Sequence, residues 1–141
     1  MTNTELLNHI RKTTDMGSYG IQNVVTKAKN PDLRRALRQQ DAEYQSLYRE
    51  ADRLLMQTGG KQKNSPPGAK MASKMSAEMS TMMDRSDSKI AELMIRGNVM
   101  GEVKSMRYLR KSPARSPEVG ALTEKLLKTE QDNVAQMKKF L

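Results

Sequence analysis

Few side chains in this chain could do chemistry. Its 141 residues include one histidine, His9, and no cysteine. A thiolate nucleophile, a disulfide, a zinc–cysteine site and an iron–sulfur cluster are therefore excluded, as is any site needing two histidines from one chain. Serines are common, but no histidine stands beside one as a base and no nucleophile motif occurs, so hydrolase chemistry is not expected. Met71, Met75, Met79, Met82 and Met83 are spaced as on one side of a helix. Thioethers at that spacing could bind Cu(I). The same side chains also fill gaps in a core or form a surface that repacks on a partner. We expect packing or a protein interface, and no cofactor.

Charge is the other candidate. Lysine and arginine total 25 against 16 acids, a net charge of +9. Such a charge attracts polyanions without choosing among them. Arg34, Arg35 and Arg38 form one cluster, and Lys104, Arg107, Arg110, Lys111 and Arg115 another. Nucleic-acid readers usually add aromatics or a recognised motif. With one Phe and four Tyr, no stacking platform is visible. Non-specific polyanion binding, through Arg107, Arg110, Lys111 and Arg115, stays an alternative.

These residues need elements to hold them. Leu7, Ile10, Thr14, Gly17, Ile21, Val24 and Ala28 step by three and four, which predicts a helix over about 4–28 with Thr4 as its cap. Asn30-Pro31-Asp32 ends that helix and opens another over 31–57. Its stripe is Leu33, Leu37, Gln40, Tyr44, Leu47, Ala51 and Leu54, and Gly59-Gly60 stops it. A loop, KQKNSPPG, precedes a Met-rich helix over 69–83. Ile90, Leu93, Met94, Gly97, Met100, Gly101, Val103 and Met106 mark a helix over 87–110. Ser116-Pro117-Glu118 opens the last, over 117–140, with Leu122, Leu126, Glu130, Asn133, Val134, Met137 and Phe140.

The first and last connections are short and force antiparallel neighbours. The middle one carries the 69–83 helix. At about 1.5 Å per residue, that segment is long enough to return along the bundle. The second helix and the 87–110 helix would then run parallel. A plain up-down bundle with an elaborate loop is the competing topology. The two basic clusters would lie at opposite ends. Gly17, Gly20, Gly97 and Gly101 weaken the helices they interrupt. They imply close helix approach, or room for Tyr19, Tyr44 or Met side chains.

With these helices and one crossover, the chain resembles the ferritin-like superfamily, especially small rubrerythrin-like and spore-coat-like bacterial bundles. Functional members hold two irons with one Glu from each of two helices and a Glu-x-x-His from each of the other two. The resemblance implies that the corresponding pieces here are Glu43-Tyr44-Gln45-Ser46 and Glu130-Gln131-Asp132-Asn133. Asp15 would serve on the first helix, and Glu92 or Glu102 on the 87–110 helix. Both histidines are missing, so Ser46 and Asn133 stand where nitrogen ligands would. His9 reads as a surface or boundary residue near the start of the first helix. Glu130, Asn133 and Gln40 are expected to form a hydrogen-bonded polar layer in the core.

The expectation is an all-α, single-domain ferritin-like four-helix bundle over residues 1–141. Its role would be non-enzymatic, structural or protein-binding, without the di-iron site and most simply as a homodimer. A carboxylate-only Mn or Fe site using Glu43 and Glu130 is the alternative of a different class. The N-terminus carries neither the basic nor the apolar segment of a secretory signal, and no apolar run approaches the roughly 18 residues of a membrane span. A cytoplasmic setting is expected.

Overall fold

A computed structural model describes residues 1–61, 84 and 86–141. The Met-rich stretch containing Met71, Met75, Met79, Met82 and Met83 lies outside the described residues. Four long helices are described: α1 (Asn3–Val24), α2 (Pro31–Thr58), α3 (Asp87–Arg110) and α4 (Pro117–Met137), with a 3-10 turn at Lys138–Phe140.

Each helix starts where its sequence provides a cap. Asn30, Ser86 and Ser116 each accept a backbone N–H of the following helix, and Pro31 and Pro117 open α2 and α4. On α1 the cap is Thr2, not Thr4. Thr2 accepts from Glu5 N, and Glu5 accepts back from Thr2 N at 2.7 Å, a reciprocal box that satisfies two donors. The first helix also ends early, at Val24, in a turn that carries the chain to Asn30. Gly59 closes α2 in the left-handed region, at φ 69°.

Contacts between the ends fix the topology. Asn8 on α1 donates to the Lys61 carbonyl just past α2 at 3.0 Å. Asn3 accepts from Ser116 N, at the entry to α4. At the opposite end, both oxygens of Asp87 accept backbone N–H groups, from Lys29 at 2.8 Å and Asn30 at 2.9 Å. The start of α3 therefore lies beside the start of α2, and the two helices run parallel. The chain leaves α2 at one end of the bundle and enters α3 at the other, which excludes the plain up-down alternative.

The core is continuous. It includes Leu6, Leu7, Ile10, Ile21 and Val24 of α1, Leu33, Leu37, Tyr44, Leu47 and Leu55 of α2, Ile90 and Met94 of α3, and Leu126 and Met137 of α4. The α1, α2 and α4 stripes point inward almost as their spacing requires. The α3 stripe does not. Gly97, Met100, Val103 and Met106 are exposed, and the buried face is Ile90, Ala91, Met94, Asn98, Gly101 and Ser105. Asn98 and Ser105 can face inward because partners on other helices satisfy them.

Candidate functional site

The chemistry of the bundle centre rests on four side chains. Tyr44 of α2 donates its hydroxyl to Asn98 Oδ1 of α3 at 2.6 Å and lies 3.2 Å from Glu130 Oε2 of α4. Asn133, one helical turn after Glu130, donates its Nδ2 to the Tyr44 oxygen at 3.3 Å. Asn98 Nδ2 donates back to the Met94 carbonyl at 2.7 Å. All four residues are buried.

Two glycines make the room. A Cβ on Gly17 of α1 would stand 2.5 Å from the Tyr44 ring, and one on Gly101 of α3 would stand 2.9 Å from the Glu130 carboxyl. In each antiparallel hairpin, a glycine on the first helix thus receives a large side chain from the second. Burial raises the Glu130 carboxyl to about 8, with a further push from the Glu102 charge, while the Tyr44 bond pulls the other way. Glu130 therefore keeps its proton at neutral pH. Burial and the Glu130 charge hold Tyr44 well above the ordinary phenol value.

The other expected site residues are elsewhere. Asp15, Glu43 and Ser46 are exposed. The inward stripe of α2 passes through Tyr44 and Leu47, so residues one position earlier turn about 100° away from it. The inner pair that matches Glu130 and Asn133 is Tyr44 and Leu47. Glu92 is half-buried and bridges Lys89 and Arg96 on its own helix. Glu102 is half-buried and accepts from Gln131 at 3.1 Å. Gln40 belongs to a separate contact near the end of α4, donating to Gln136 at 2.7 Å.

His9 is buried, not at the boundary. Its Nε2 lies 3.0 Å from Ser105 Oγ, and its ring meets Tyr108 edge-on at 4.5 Å. Burial, then the Lys104 and Lys12 charges, push its pKa down to about 4, so it is neutral at pH 7. Sequence reasoning also missed Asn98. It belongs to none of the apolar repeats, and only its register with Gly101 and Met94 hinted that it faces inward.

The basic clusters lie at opposite ends, as expected. Arg34 donates to the Ala28 and Lys29 carbonyls in the connection between α1 and α2, and Arg115 to those of Leu109 and Ser112 around the end of α3, so both are engaged in holding the connections between helices. Arg107, Arg110 and Lys111 are exposed.

Similar bundles appear among solved structures. The dodecameric thioferritin from Bacteroides fragilis, a bacterioferritin-related protein, matches with a TM-score of 0.78 at 7% identity, over 98% of this chain and 83% of that one. The fold is ferritin-like. Dps from Thermosynechococcus elongatus matches with a TM-score of 0.74 at 12% identity, covering 98% and 88% of the two chains. A DUF305 fragment from Deinococcus radiodurans reaches 0.74 at 17% identity, covering 97% and 93%. No family model and no curated protein matches the sequence.

A ferritin-like fold raises the question of a di-iron centre, and the residues present do not fit one. Such a centre takes four carboxylates and two histidines from inward positions. Here those positions hold one acid together with a phenol, two amides and a leucine. Two of the surrounding positions are glycines already occupied from across the hairpin. Among the described residues, no group of three or more His, Asp or Glu side chains is arranged to hold a metal ion. The Glu43 and Glu130 pairing proposed from sequence fails because Glu43 points out of the bundle.

Proposed function

We propose that this chain is a non-enzymatic ferritin-like bundle, a structural or protein-interaction module whose centre is closed by hydrogen bonds in place of a di-iron site. One observation carries the reading: Tyr44 and Glu130 fill the spaces left by Gly17 and Gly101 and join Asn98 and Asn133 in one buried network. A packed layer of this kind satisfies its own polar groups and fixes the register of three helices. It presents no open coordination position and no ionised nucleophile. The dodecameric state of the Bacteroides protein supports expecting self-association of this chain as well.

Metal content of protein purified without chelator tests the reading, followed by titration with Fe(II) and Mn(II). We expect far less than one ion per chain, and no difference between the natural chain and Glu130→Gln. Stoichiometric iron or manganese that Glu130→Gln abolishes would overturn the proposal.

A further inference from the structure

The outer face of α3 carries a pattern that the fold does not use. Val99, Met100, Val103 and Met106 remain 42%, 53%, 39% and 40% exposed. They lie opposite the buried face of α3, so no other described helix covers them. Branched valines on a solvated helix face neither favour the helix nor add solubility.

The residues of this face form a repeat. Glu92, Arg96, Val99, Val103, Met106 and Arg110 are spaced by four, three, four, three and four. That is the spacing of a two-helix coiled-coil seam, here apolar at Val99, Val103 and Met106 and charged at Glu92, Arg96 and Arg110. The order is also self-complementary when reversed. An antiparallel second copy would set Val99 against the other Val103, Arg96 against the other Met106, and Glu92 against the other Arg110. Each pairing occurs twice, as an isologous contact requires. The valines meet at the centre, the Arg96 stems lie along methionine, and opposite charges meet at both ends. Glu92 now pairs with Lys89 and Arg96 on its own helix and is only half-buried, while Arg110 is exposed. Both can reach outward.

We propose that a second copy of this chain covers the outer face of α3, pairing α3 antiparallel with α3 about a twofold axis between Val99 and Val103. This rests on reading the chain as an interaction module and names the partner and the surface. Sedimentation equilibrium of the full chain tests it, with thermal unfolding as a check that each variant folds. The natural chain should sediment at twice the chain mass. Val103→Lys should sediment as a folded monomer. Glu92→Arg and Arg110→Glu should each weaken the dimer about tenfold, and the two together should restore most of the affinity. A monomeric natural chain would overturn the proposal. If Val103→Lys also unfolded such a monomer at lower temperature, the chain's own residues would be what covers this face. A dimer indifferent to Val103→Lys and to both charge reversals would place the contact elsewhere. That result would refute this surface and leave the interaction reading standing, since the chain would still self-associate, while metal content tests the closed centre separately.

Discussion

Replacing Glu130 with glutamine should change how stability depends on pH, in a direction the structure dictates. Burial lifts the carboxyl from 4.5 to about 8. Below pH 4.5 it is neutral in both the folded and the unfolded chain and imposes no penalty. Between 4.5 and 8 the unfolded chain releases this proton and the folded chain keeps it, so stability falls by about 1.4 kcal/mol per pH unit. Across the whole interval the loss is about 5 kcal/mol, a large share of a typical domain's 5–15. His9 acts with the opposite sign. Its pKa drops from 6.5 to about 4 on folding, so the folded chain binds fewer protons in that interval and stability rises with pH. The two slopes cancel between about 4.5 and 6.5. The carboxylates held low, Glu50, Asp84 and Glu92, contribute only at more acid pH. The natural chain should therefore be level from about pH 4.5 to 6.5, then lose about 2 kcal/mol by pH 8. Glu130→Gln removes one slope and leaves the other. It should gain about 3 kcal/mol between pH 4 and 6.5 and stay level to pH 8. Urea unfolding at closely spaced pH values measures both curves. Parallel curves between pH 6.5 and 8 would show that Glu130 is ionised in the folded chain, and the account of the buried layer would fail.

The two α3 glycines should respond in opposite ways. Gly101→Ala drives a methyl into the Glu130 carboxyl and should cost about 1–3 kcal/mol. Gly97→Ala meets open space and should gain about 0.5–1 kcal/mol from helix propensity, both read by urea unfolding at pH 6. Tyr44→Phe leaves Asn98 Oδ1 without its hydroxyl donor and takes away the oxygen that lies 3.2 Å from the Glu130 carboxyl, and should cost about 1–3 kcal/mol by the same measurement. Asp87→Ala removes the acceptor for Lys29 N and Asn30 N and should cost about 1–3 kcal/mol. Amide exchange at those two positions should accelerate before the rest of the bundle opens.

Most of the fold could be read from local chemistry. Asn30-Pro31-Asp32 and Ser116-Pro117-Glu118 each combine a cap, a helix-compatible proline and an acid at the positive helix end, and α2 and α4 begin there. The α1 and α2 stripes needed only their spacing. On α3 the spacing misled, because two faces compete. Met100, Val103 and Met106 are more apolar than Asn98 and Ser105, yet the polar pair is buried. Which face turns inward depends on partners that hydropathy does not register: the Tyr44 hydroxyl for Asn98 and the His9 ring for Ser105. His9 was misplaced for the same reason. A lone histidine looks like a surface residue until the helix opposite it is known.

The centre was misread through a register error of one residue, and that error shows why restoring a motif would not restore a site. Glu43-x-x-Ser46 resembles a ligand pair with its histidine lost, so Ser46→His would be the natural repair. Both positions are exposed, and a histidine there would bind in solvent or not at all. A repair at the inner positions must begin with Tyr44 and Leu47. Tyr44 cannot change alone, because its ring fills the space over Gly17 and its hydroxyl satisfies Asn98 and Asn133. Removing it opens a cavity and leaves buried amides unpaired, each costly by itself. Gly101 is tied to Glu130 in the same way. The layer is therefore a closed packing solution in which each residue depends on its neighbours across the bundle. A metal-binding version would need concerted substitution on all four helices.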